Sequence, residues 1–133
     1  FFAYYEDIDL SFRLQYVGYK CAYKPDAICY HKRGGTMSSN KNFHIYLLER
    51  NLVFLRIKNF PLRILVLYSP YYFIFRILRF AKYFIKISPS YSISALKGYL
   101  SSIPQIPSLL KKRRKIFKKR NVSIDYIVSL FRE

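Results

Sequence analysis

Residues 1–36 read FFAYYEDIDLSFRLQYVGYKCAYKPDAICYHKRGGT, and the fold class turns on how they are parsed. Leu10, Leu14 and Val17 recur at i, i+4 and i+7, which predicts a helix over 7–17. Gly18 follows where a glycine just past the last turn ends such a helix. Tyr19–Tyr23 and Ala27–His31 then read as two short strands around Lys24-Pro25-Asp26, a turn built on proline. A helix leading into a hairpin predicts a mixed α/β class. Residues 32–41, KRGGTMSSNK, form a polar loop.

Outward from this stretch the pattern turns helical. A helix is expected from near Asn42 to about Asn59, with Phe43, Leu47, Phe54 and Ile57 as its apolar positions, stopping before Pro61. Residues 61–87 are the most apolar, yet their longest uncharged run, Ile64–Phe75, has 12 residues and contains Pro70. A bilayer-spanning helix needs about 20 apolar residues, so a simple span is not expected. From Tyr71 onward Arg76, Arg79, Lys82 and Lys86 are spaced 3, 3 and 4 apart. At 100° per residue they share an arc of roughly 120°. Ile77, Phe80, Ala81, Phe84 and Ile85 occupy the rest of the cylinder. A basic stripe opposite an aromatic and aliphatic face suits a helix lying in a membrane interface, as well as one packed on its own domain. Beyond Pro89, Tyr91–Ser102 reads as one more helix. Residues 111–120, KKRRKIFKKR, carry eight positive charges in ten, and Val122–Phe131 reads as a short amphipathic helix.

The chain has 133 residues, enough for one ordinary domain, and a formal net charge of +17. Its 52% apolar and 20% aromatic content excludes a disordered tail, and four Gly with six Pro exclude collagen-like and linker sequences. Cys21 and Cys29 form no CxxC pair and suit reduced thiols in a cytosolic setting. Residues 1–40 hold five basic and four acidic side chains, a net of +1; residues 41–133 hold 19 and three, a net of +16. The second part is expected to meet a polyanion, either an anionic membrane surface or a nucleic acid. The opening Phe-Phe-Ala, without Met, suggests that the sequence starts inside a longer protein.

Three of the seven acidic residues, Glu6, Asp7 and Asp9, lie within four positions after an aromatic approach. Carboxylates in a first helical turn are favoured by the helix dipole, but that role needs one or two of them. His31 stands at the end of the second expected strand, directly before the polar loop, where it is a candidate functional histidine.

These residues resemble the second half of the catalytic domain of family 2 glycosyltransferases of the GT-A fold, the rhamnosyltransferase-like branch in particular. The similarity lies in Glu6, Asp7, Asp9, Leu10 and Arg13, in Gly18-Tyr19-Lys20, and in Pro25, Ala27, Tyr30 and His31. Arg50-Asn51 and Lys58-Asn59-Phe60-Pro61 look like the helix that follows in the same proteins, and Lys97-Gly98-Tyr99-Leu100 with the Lys/Arg-rich run looks like their tail. The resemblance implies the C-terminal remnant of a GT-A domain over residues 1–60, followed by a basic, aromatic, membrane-associating helical tail over 61–133.

It also implies roles. Asp7 would be the general base that deprotonates the acceptor hydroxyl for inverting transfer, and Glu6 would orient the acceptor or tune Asp7. His31 would be a ligand of the divalent metal, Mn²⁺ or Mg²⁺, that holds the donor diphosphate. Arg13 would pair with Asp9 or reach the diphosphate, and Lys32 and Arg33 would neutralise the leaving nucleotide. Arg76, Arg79, Lys82 and Lys86 would contact the membrane. Asp7-Ile8-Asp9 has the spelling of the family's metal motif but belongs to the acceptor-side motif, and no other Asp-x-Asp occurs. The resemblance therefore implies an acceptor-side half, inactive alone, of an enzyme at the cytoplasmic face of the cell membrane. The full enzyme would move a sugar from a nucleotide-sugar to a lipid-linked or cell-surface glycan. The alternative from another class is a basic nucleic-acid-binding module, which lacks any recognised motif here.

Overall fold

The computed structural model describes residues 1, 3–30 and 40–131. They form six α-helices: α1 (Glu6–Tyr16), α2 (Lys41–Asn59), α3 (Leu62–Lys82), α4 (Pro89–Ser102), α5 (Ile106–Lys118) and α6 (Ile124–Ser129). A π-helical turn, Tyr83–Ile87, extends α3, and a 3₁₀ turn, Ile103–Gln105, joins α4 to α5.

No strand occurs among the described residues, so the α/β class and the GT-A remnant expected from the sequence are corrected to an all-helical bundle. Residues 19–24 and 27–30 are exposed and form no ladder; Tyr23 and Tyr30 are 91% and 95% exposed. Only the proline turn between them forms, with Ala27 N–H donating to the Lys24 carbonyl at 3.1 Å. An isolated two-stranded ribbon is marginal in water, and no neighbouring sheet supports this one.

Helix α1 ends as expected. Gly18 takes φ +94°, its N–H donates to the Gln15 carbonyl at 3.0 Å, and Tyr19 N–H reaches back to Leu14 at 3.0 Å. This is the paired closure that a left-handed glycine permits. The inward face of α1 differs from the expected one. Leu10 and Leu14 face outward, while Asp9 and Tyr16 are buried and Phe12 packs in a three-ring cluster with Phe60 and Phe131.

Helix α2 is the axis of the bundle, burying Ile45, Leu47, Val53 and Leu55 together with Glu49, Asn51 and Asn59. Its N-cap is Asn40, whose Oδ1 accepts from Phe43 N–H at 2.9 Å. Helix α4 lies against it through the small residues Ala95, Gly98 and Ser102. A β-carbon on Gly98 would sit 2.3 Å from the Tyr46 carbonyl oxygen, so only glycine admits this approach. Because α4 and α5 both pack on α2, residues 1–60 and 61–133 share one core.

Helix α3 runs unbroken through Pro70. A proline leaves the carbonyl four residues earlier without its N–H donor. Here that carbonyl belongs to Val66, and the Ser69 hydroxyl donates to it at 2.9 Å. With its π-helical turn, the helix extends over Leu62–Ile87, 26 residues, long and apolar enough to cross a membrane by length and composition. Little of it is covered: Val66, Leu67, Phe73, Ile74, Ile77 and Leu78 are all exposed.

The basic run is partly structural. Arg113, on α5, points inward and donates to the carbonyls of Ile57 (2.9 Å) and Phe60 (2.6 Å). A guanidinium there caps the negative end of α2. Its burial lowers its pKa from the ordinary arginine value, with the Tyr16 phenol pulling the other way. Lys111, Lys112, Arg114, Lys115 and Lys118 remain exposed.

Candidate functional site

Two consecutive tyrosines in left-handed backbone precede the acidic cluster: Tyr4 at φ 69° and Tyr5 at φ 66°. Each costs about 1–2 kcal/mol because its β-carbon crowds the following carbonyl. The turn persists because α2 holds it. The fully buried Asn51 donates its side-chain amide to the carbonyls of Ala3 (2.6 Å) and Tyr4 (3.3 Å). The Tyr4 ring stacks on His44 with centroids 4.5 Å apart. Tyr5 is half-buried, and burial raises its phenol pKa while the Arg79 guanidinium opposes the shift.

The three acidic residues then part company. Asp9 is buried, with Lys58 Nζ at 2.7 Å, Asn59 Nδ2 at 2.7 Å and Arg13 Nε at 3.1 Å. Its carboxylate is saturated by donors. Glu6 and Asp7 are exposed and form no side-chain hydrogen bond or ion pair among the described residues. Neither caps the helix, since the N-cap position is Tyr5 and no side chain bonds the free N–H groups there. Two exposed carboxylates thus stand at the positive end of α1, directly after a strained turn with a buried anchor.

The residues of the resemblance that lie 40 to 50 positions downstream converge on this place. Asn51 holds the turn before Glu6, and Lys58 and Asn59 hold the residue two beyond Asp7. Arg13, carried over as substrate-binding, is paired with Asp9. His31, Lys32 and Arg33 lie outside the described residues. A metal implied by the resemblance finds no fit among those described. Asp9 is committed to cations, and no group of three His, Cys, Asp or Glu stands together. No step is derived through a metal.

The expected basic stripe on α3 divides in two. Lys82 and Lys86 are exposed. Arg76 is buried with Nη2 at 2.8 Å from Glu49, and Arg79 Nε lies 3.4 Å from the same carboxylate. Arg76 and Arg79 therefore tie α3 to α2 and are removed from the expected membrane-contact set. Sequence reading missed Glu49 and gave Asn51 and Asn59 no role beyond the resemblance, although three polar residues at buried turns of an apolar helix are a signal that each has a partner.

Compared with family models, curated proteins and solved structures, the chain matches none.

Proposed function

We propose that this chain supplies the acceptor-side carboxylates of an inverting, hexosyl- or rhamnosyl-type glycosyltransferase working at a membrane surface. The observation that carries the reading is the contrast within one helical turn. Asp9 is locked by Lys58, Asn59 and Arg13, while Glu6 and Asp7 are exposed and unpaired among the described residues, beyond a strained turn held by Asn51. Backbone strain that the surroundings must over-determine favours a functional position over a structural one.

In this reading Asp7 takes the acceptor hydroxyl proton as the oxygen attacks the anomeric carbon of the donor. The bond to the nucleoside diphosphate breaks on the opposite face, so the configuration inverts. Glu6 orients the acceptor. In this proposal Lys32 and Arg33 neutralise the leaving nucleoside diphosphate. The uncovered apolar surface of α3 and the basic run of α5 hold the site close to a lipid-linked acceptor on the cytoplasmic face.

The test is transfer from nucleotide-sugars to a lipid-linked acceptor extract by the full-length protein, comparing wild type, Asp7→Asn and Asp9→Asn. Asp7→Asn should lower transfer by at least 100-fold, the order of a lost general base, with the melting temperature unchanged. Asp9→Asn should chiefly destabilise the fold. Normal transfer by Asp7→Asn would end the proposal.

A further inference from the structure

Between α2 and α3 runs a groove of about 720 Å³ lined by Leu52, Phe60, Ile64, Tyr68 and Phe75, with Phe131 at its end. Its size falls within the roughly 300–1,000 Å³ of small-molecule sites. One lining residue is charged, Arg56. Its guanidinium lies over the Tyr72 ring, 3.3 Å from the centroid, and forms no ion pair among the described residues. The charges around it do not balance. Arg56, Arg76 and Arg79 come from the α2–α3 contact, and Glu49, which binds Arg76 and Arg79, is the one carboxylate found with them among the described residues. Burial lowers the Arg56 pKa from the ordinary arginine value, as expected of a cation taken out of water without an anion.

A cation in the wall of an otherwise apolar groove matches a molecule with the same division: an anionic head on a hydrocarbon chain. Of the lining, Tyr71, Ile74, Phe75 and Leu78 are exposed and continuous with the uncovered face of α3, so a chain can enter from an adjoining bilayer. A guanidinium has five N–H donors, so one that spends part of its contacts on Tyr72 keeps others for a bond to phosphate. We propose that this groove holds one anionic phospholipid, its phosphate on Arg56 and one acyl chain among the α2–α3 side chains. The proposal goes beyond the transferase reading and does not depend on it.

The full chain is tested against phosphatidylcholine vesicles with and without a portion of phosphatidylglycerol, at low salt and near 1 M salt, where screening reaches about 3 Å. Diffuse surface attraction fades at high salt, whereas a headgroup held on a half-buried Arg56 keeps its preference. Wild type should still favour phosphatidylglycerol vesicles about tenfold at high salt, the scale of one charge-assisted bond. Arg56→Gln should abolish that residue of preference, Arg56→Lys should keep part of it, and Lys115→Gln on exposed α5 should leave it intact. Leu78→Trp, which fills the groove from an exposed position, should abolish it without touching a charge. It keeps the proposal falsifiable if Arg56→Gln fails to fold by circular dichroism. Three results would overturn the proposal: loss of the preference at high salt in wild type, equal losses in Arg56→Gln and Lys115→Gln, or displacement of the lipid by millimolar inorganic phosphate alone.

Discussion

Asn51 shows how one side chain can set a site that it does not enter. Its amide offers two N–H donors to the carbonyls of Ala3 and Tyr4, and nothing else described replaces them. Asn51→Ala should therefore cost about 1–3 kcal/mol, the penalty for part-buried carbonyls left without donors, and should release the turn before Glu6. Thermal melting reads the cost; faster amide hydrogen exchange at the start of α1 reads the release. Tyr16 is a second buried polar contact, its hydroxyl donating to the Asn59 carbonyl at 2.6 Å. Burial pushes its phenol from 10.0 up to about 12, against the pull of Arg113 and Arg120. The folded pKa exceeds the unfolded one. Its contribution is therefore complete below pH 10 and is lost as pH rises from 10 through about 12. Tyr16→Phe should melt well below wild type at pH 8, with the gap narrowing by pH 11.5. A gap that stays constant with pH would mean that the phenol titrates alike in both states.

At the scale of elements, α2 and α4 meet at a single point of no tolerance. A β-carbon on Gly98 would fall 2.3 Å from the Tyr46 carbonyl oxygen, a backbone atom that cannot swing aside. Gly98→Ala should force the two helices apart and cost about 1–3 kcal/mol by overpacking, outweighing any gain in helix propensity. A melting temperature at or above wild type would show that the helices slide freely. Helix ends such as Gly18 and Pro61 were legible in the sequence because their causes are local: a left-handed residue and a missing N–H. Which face turns inward was not. Leu10 and Leu14 have the spacing of a buried stripe, yet α1 buries Asp9, whose partners Lys58 and Asn59 stand about 50 positions away. Arg76 and Arg79 likewise look like a surface stripe until Glu49, on another helix, draws them in. The hairpin was read from residue types alone, and a ribbon requires neighbouring strands that no local pattern can report. The acidic cluster was legible as a cluster; its division into one locked and two exposed carboxylates depends on those distant partners.

For the whole molecule, the proposed membrane association would draw on two different forces, one from the uneven charge and one from the uncovered helices. The exposed aromatic and aliphatic side chains of α3 and α4 supply an apolar term that salt does not screen, whereas the exposed lysines of α5 supply one that it does. The two should separate cleanly in a vesicle-binding experiment. Phe73→Ser combined with Ile77→Ser removes two exposed apolar side chains worth about 1.5–3 kcal/mol each when buried. That pair should weaken binding to phosphatidylcholine–phosphatidylglycerol vesicles by at least 100-fold at every salt concentration. Replacing Lys111, Lys112, Lys115 and Lys118 with Gln should weaken binding strongly at low salt, by about 1 kcal/mol per charge near the surface, and little at high salt. If binding instead falls steeply to nothing with salt in wild type, and the serine pair changes little, the charge alone governs association. The chain would then behave as a binder of polyanions such as nucleic acid, whose phosphate contacts follow that law. A salt-resistant remainder that disappears only with Phe73 and Ile77 requires a partner with a hydrocarbon interior, and among polyanionic surfaces a membrane alone provides one.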